Sequence, residues 1–209
     1  QPVLCRAQGP GLGADVLVDP NLLADDGTTA ITAFEPDATG DRVVYGLSRH
    51  GSDVQELLIH DVAAGAALAD RLQWVKFASI AWWGDGFFYT RYPEGQDYCC
   101  QIWFHRVGDP QTGDRLIHHR PDAPAIVFDV HVTSDDRHLV IASYQGASDH
   151  AEIEVVRLKA DTTGIAEEPR ALVIGFTDGW HFIDGRNGQL YFRTDAGAPF
   201  GRIARFDLS

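Results

Sequence analysis

The stretch VVYGLSRHGSDVQELLIHDV, Val43 to Val62, admits two readings that lead to different proteins. In one, Gly46-Leu47-Ser48-Arg49-His50 is a degenerate nucleophile elbow with His50 and Asp53 as partners. In the other, VVYGLS and QELLIHDV are two strands and the residues between them are a turn. An elbow needs a strand–turn–helix context and a second glycine, so that the chain turns sharply beneath an exposed hydroxyl. Here a β-branched and apolar run follows instead of a helix. The same G-x-S-x-H pattern returns at Gly146-Ala147-Ser148-Asp149-His150, again between two apolar runs. Ser48 and Ser148 therefore read as turn residues, and no catalytic residue is expected in this chain.

Working outward, the two-strand unit recurs. The triplets VVY, FFY, LVI and LYF begin at Val43, Phe87, Leu139 and Leu190, each after a Gly/Asp-rich turn. A partner strand follows each one, starting at Gln55, Gln101, Ala151 and Gly201. Weaker strands precede them in ITAFEP, SIAWW, DVHVT and WHFID, and a fourth run is offered by ALADRL, RLIHHR and RALVI. Short strands bounded by turn chemistry, repeating at about 50 residues, are the spacing of four-stranded β-propeller blades. No long 3.6-residue apolar period competes with them.

The expected fold is thus all-β: antiparallel blades forming an open arc of four to five blades. Residues 1–30 would end a first blade, 31–74, 75–121 and 122–174 would be full blades, and 175–209 an incomplete one. An open arc leaves apolar faces at both ends, so self-association is expected of an isolated chain. The sequence starts at Gln1 and has no methionine, which also favours a piece of a longer protein.

Composition narrows the function. The formal charge of −13 argues against nucleic acid and anionic membrane as partners, because both need a basic footprint. No apolar run approaches the roughly 18 residues of a membrane span. The three cysteines, Cys5, Cys99 and Cys100, read as reduced thiols in strands. His105, His118 and His119 lie near Cys99 and Cys100 in sequence, but no C-x-x-C or H-x-x-x-H spacing is present. Adjacent histidines on a strand also point to opposite faces. Neither metal nor cofactor is expected. The acidic pairs Asp25-Asp26 and Asp135-Asp136 read as turn residues, and GPGLG (Gly9 to Gly13) is not followed by a helix.

Four stretches, taken in order, resemble one family. These are VDPNLLADDGTTAI (Val18 to Ile31), YGLSRHGSD (Tyr45 to Asp53), LQWVKFASIAWW (Leu72 to Trp83) and GFFYTRYPEG (Gly86 to Gly95). HRVGDPQTGDRLIHHRPD and GAPFGRIARFDL extend the resemblance over nearly the whole chain. Together they are similar to the propeller of prolyl oligopeptidases, serine peptidases that cleave short peptides after proline. The resemblance implies a seven-bladed propeller gating a C-terminal α/β-hydrolase domain that carries the catalytic triad. It therefore implies a substrate-access part, inactive by itself, whose partners are that domain and, through the whole enzyme, short proline-containing peptides. The phenylalanine of the VKF motif lines the family's substrate chamber and matches Phe77; ordinary blade core is the alternative. Where the family carries a substrate-facing arginine and cysteine, this chain has Tyr144 and Ala147, so those roles do not transfer. Rival readings are a free-standing partial propeller that binds a protein or peptide and closes by dimerising, and a relative cutting after basic residues or removing acylated amino acids. Cytoplasm and periplasm both stay open.

Overall fold

A computed structural model describes residues 1–7, 9–24, 26–159 and 168–208; Asp25, which belongs to one acidic pair, lies outside the described residues. Seventeen strands and two short 3-10 turns make up the regular structure of these residues. The strands form five antiparallel sheets in strict chain order. β1 (Leu4–Ala7) pairs with β2 (Ala14–Val18). The second sheet contains β3 (Ala30–Pro36), β4 (Arg42–Ser48), β5 (Gln55–Asp61) and β6 (Ala66–Val75). The third contains β7 (Ile80–Trp83), β8 (Gly86–Arg91), β9 (Gln101–Arg106) and β10 (Arg115–His119). The fourth contains β11 (Ile126–Val132), β12 (His138–Gln145), β13 (Ala151–Arg157) and β14 (Arg170–Val173). The fifth has three strands, β15 (Trp180–Arg186), β16 (Gln189–Thr194) and β17 (Arg202–Asp207). These sheets are unclosed blades of an open propeller arc.

Patterning explains why the sheets stack. The middle strands are nearly continuous apolar runs, buried on both faces because a neighbouring sheet covers each side. Phe87, Phe88 and Tyr89 of β8 are all fully buried, as are Leu139, Val140 and Ile141 of β12. In β8, Phe87 and Tyr89 join a core with Val44, Leu57 and Ile59 of the second sheet. Phe88 points the other way, into a core with Phe128, Leu139 and Ile141 of the fourth. The fourth and fifth sheets share Val140, Ile153, Leu190 and Phe192. Sheet after sheet, one strand feeds two cores.

The turns are built from their sequences. Asn187 and Gly188 both adopt positive φ, 54° and 75°, closing the β15–β16 hairpin as a two-residue turn matched to strand twist. Gly86 is required by space: a Cβ there would lie 2.0 Å from the His105 carbonyl oxygen. Cys5 is in β1, but Cys99 and Cys100 precede β9 in a connection instead of lying in a strand as expected, and all three are free thiols.

Strand alternation sorts the connections onto two faces of the arc. The β6–β7, β4–β5, β8–β9 and β12–β13 loops lie on one, called here the upper face. The β3–β4, β11–β12, β13–β14 and β15–β16 connections lie on the lower face.

Candidate functional site

The innermost strands β3, β7, β11 and β15 surround a concavity of about 630 Å³ that opens along the axis of the arc. Glu35, Trp82, Asp129, His131, Phe182 and Asp184 are among the residues that line it. Burial raises the Glu35 carboxyl above its ordinary value. Burial also lowers His131, against the opposing pull of Asp129, so its imidazole is neutral near pH 7. That ring stacks on Phe182 at 5.2 Å. The Ser134 hydroxyl donates to Asp184 at 2.5 Å and holds that carboxyl low. Ser79 is committed as well, its hydroxyl oxygen accepting from the Val130 amide at 2.9 Å. Hydroxyls tied up in this way, beside carboxylates and a neutral ring, line the concavity without assembling a nucleophile and its base.

The upper face is where the backbone is strained. Among the described residues six non-glycines adopt positive φ: His50, Trp74, Phe77, Cys99, Asp136 and Asn187. Asp136 and Asn187 sit in lower-face turns and are residue types that tolerate this conformation. Trp74 (φ 63°), Phe77 (φ 47°) and Cys99 (φ 62°) are not, and all three lie on the upper side. Their surroundings hold them. The Trp74 carbonyl accepts from the Tyr92 amide at 2.8 Å, and the Cys99 amide donates to the Pro124 carbonyl at 2.8 Å. Lys76, itself largely buried, pairs with Asp97 of the β8–β9 loop. Phe77 follows it with 71% of its surface exposed, so it is no part of a blade core.

A family model described as prolyl oligopeptidase, N-terminal beta-propeller domain, matches residues 1–209. The chain belongs to the prolyl oligopeptidase family. It is 30% identical to a prolyl endopeptidase of Elizabethkingia miricola over 98% of its length, and covers 29% of that protein. A structure solved in a study of two prolyl endopeptidases and the role of inter-domain dynamics in their catalysis and specificity superposes with a TM-score of 0.88 at 35% identity. That match covers 97% of this chain and 29% of the other. Apo prolyl oligopeptidase B of Galerina marginata gives a TM-score of 0.87 at 26% identity, covering all of this chain and 32% of its own. The chain thus spans about a third of the length of the relatives it matches.

Within this prolyl oligopeptidase propeller, the residues singled out by sequence fall as follows. Ser48 ends β4, nearly buried, and its hydroxyl donates to the Ser52 carbonyl at 2.5 Å. The His50 ring turns away, meeting Thr28 at 3.1 Å and the Asp26 carboxylate at 3.6 Å. Ser148 accepts from the His150 amide at 3.2 Å. Ser148 is a turn residue as expected, whereas Ser48 is the last residue of strand β4, just before the turn. Tyr144 is half-buried near the upper end of β12, its hydroxyl pushed up to about 12 by burial and by Asp129 and Asp149. Ala147 is exposed in the following loop.

The histidines and cysteines disperse. His119 is exposed, His118 faces Glu154 at 3.4 Å, and Cys100 is buried. His105 is enclosed between two aspartates, Nε2 3.0 Å from Asp70 and Nδ1 2.7 Å from Asp114. Asp70 belongs to β6 and His105 to β9, so this buried triad ties one blade to the next. Sequence reading named neither aspartate, nor Glu35, Asp129 and Asp184 of the axial concavity; Asp136, which also lines it, was read as a turn residue. The available signal was positional: each repeat's first strand is innermost, so its polar residues face the axis.

Proposed function

We propose that the chain is the gating, substrate-access part of a proline-specific serine oligopeptidase whose hydrolase domain carries the catalytic triad. Phe77 is the substrate-lining residue of this part. The observation that carries the reading is the strained upper-face segment Trp74 to Phe77, which presents a large apolar side chain to solvent. A bulky residue in left-handed backbone is disfavoured by roughly 1–2 kcal/mol, and such strain concentrates where a side chain must be aimed. The axial concavity supports the same reading: a narrow polar passage admits short peptides and excludes folded proteins. By itself the chain would be inactive; its partners are the hydrolase domain of the same protein and, through it, peptides containing proline.

The test uses the intact protein. It should hydrolyse a short peptide after proline and leave a folded protein of the same sequence motif uncut. Phe77→Ala should raise KM for peptides extended N-terminally of the proline while leaving the melting temperature unchanged. Preference for cleavage after Arg or Lys, or an unchanged KM in Phe77→Ala, would sink the assignment.

A second property of the isolated chain rests on its end sheet. Ile183, Phe200 and Ile203 are largely exposed there, and Tyr191 partly so. We propose that isolated chains self-associate through this uncovered blade face, which a further blade would occupy in a longer chain. Sedimentation across a hundredfold range of concentration should show a monomer–oligomer equilibrium that Ile203→Glu shifts to monomer.

A further inference from the structure

On the lower face, between the fourth and fifth sheets, lies a second cavity of about 290 Å³. Among the described residues its lining includes Arg137, His138, Arg157 and Arg170, with one carboxylate, Glu168. Strand register explains the clustering. His138 is directly opposite Arg157 across the β12–β13 pair. Arg170 is opposite Val155 across β13–β14. Val155 and Arg157 are two residues apart on one strand and so share a face. Arg157, Arg170 and His138 therefore project from one side of the sheet as direct or diagonal neighbours. Arg137 adjoins them, its carbonyl accepting from the Leu158 amide at 2.8 Å.

Such an arrangement is unexpected in a chain with 30 acidic and 17 basic residues. Like charges on neighbouring strands destabilise a sheet. Among the described residues no carboxylate lies within ion-pair distance of Arg137, Arg157 or Arg170; Arg6, Arg71 and Arg106 each have one and Arg120 has two. Asp135 of the β11–β12 turn is already engaged by the Thr133 hydroxyl (2.8 Å) and the Asn187 amide (2.7 Å). His138 senses the field: burial, then Arg157, Arg137 and Arg170, lower its pKa against the opposing pull of Asp135.

We propose that this cavity is a binding site for a multivalent phosphate-type oxyanion, held by the guanidinium groups of Arg137, Arg157 and Arg170. Arginine's planar fork matches phosphate oxygens in bidentate geometry, and a bound anion would offset the repulsion between the three guanidinium groups. The cavity is too small for a nucleic acid strand but accommodates a diphosphate, free or as the end of a nucleotide.

Calorimetric titration of the full chain with pyrophosphate and, separately, ADP at low salt tests the assignment. Each probe should bind at one saturable site, and Arg157→Gln or Arg170→Gln should weaken binding by about tenfold or more. Arg42→Gln, at the corresponding strand start of the second sheet, should bind like wild type. Without ligand, the cavity variants should melt at the same or a higher temperature, because they relieve repulsion; pyrophosphate should raise the melting temperature of wild type and Arg42→Gln by more than that of the cavity variants. Equal affinities would assign the site to the phosphate groups alone, and tighter ADP binding would assign it to a nucleotide. No saturable heat from either probe, or undiminished binding in both cavity variants, would overturn the proposal.

Discussion

Replacing His105 with leucine gives the sharpest test of how adjacent blades are held. The imidazole is fully buried between Asp70 and Asp114, and both carboxylates are almost completely buried as well. Removing it leaves two buried carboxylates short of a partner. Each keeps one donor, since Asp70 still accepts from the Gly108 amide at 2.6 Å and Asp114 from the Tyr89 hydroxyl at 2.6 Å. Breaking a buried charge pair typically costs 3–5 kcal/mol, and the surviving donors place this case near the lower end, about 3 kcal/mol. For a chain of this size that is a fall of about 6–12 °C in melting temperature. The size of the fall should depend on pH. Burial opposes the charge on His105, but the hydrogen bonds and charges of Asp114 and Asp70 outweigh it and raise its pKa above 6.5. A folded pKa above the unfolded one means that the stabilisation is complete below about pH 6.5 and fades as pH rises through the folded value. Thermal melts of wild type and His105→Leu from pH 6 to pH 9 should therefore show a gap that narrows with rising pH. His118, which burial and then Arg120 and His119 push down to about 4, has the opposite sign but is common to both proteins and cancels. A gap that stays constant or widens toward pH 9 would refute an imidazolium latch.

Other consequences are simpler to check. Gly86→Ala should destabilise the chain by about 3 kcal/mol or more, because the new Cβ meets backbone, which cannot move aside as a flexible side chain can; chemical denaturation measures it. Trp83→Phe removes the indole N–H that donates to the Asp136 carbonyl of the next sheet at 3.1 Å, and should cost about 1 kcal/mol. In thiol titration at pH 8, Cys5 should react at once and Cys99 more slowly. Cys100, whose thiol burial pushes up to about 11, should react only when denaturant is added.

Fold and site were not equally legible in the sequence. Blades could be read because β4, β8 and β12 are apolar on both faces and each follows a Gly/Asp turn, two local signals that repeat. The outermost strands β6, β10 and β14 were weaker in sequence because one side meets water, as the burial of β6 shows by alternating along Ala66–Val75. Phe77 could be named only through resemblance. Nothing in VKF announces a positive φ, which is imposed from outside by the Lys76–Asp97 pair and the neighbouring loop. His105 was weighed and rejected as a metal ligand, but its role between two aspartates was not legible, since Asp70 is 35 residues away and reaches it only when one blade packs on the next. The arginine cluster was invisible for the same reason: Arg137, Arg157 and Arg170 are separated by a strand length or more and converge only through register.

The two faces of the arc also divide the labour between them. On the upper face, Trp74, Phe77 and Cys99 hold backbone conformations their side chains disfavour, and ion pairs and amide bonds from adjacent loops keep them there. On the lower face, the unusual conformations belong to Asn187 and Asp136, which adopt them readily; what is disfavoured there is the grouping of like charges. On the proposed reading, strain at Phe77 would suit a surface that aims an apolar side chain with or without substrate, and grouped arginines would suit a surface that binds an anion. The same stack of blades supports both, because its rigidity comes from cores shared between sheets and leaves the loops at either end free to carry different chemistry.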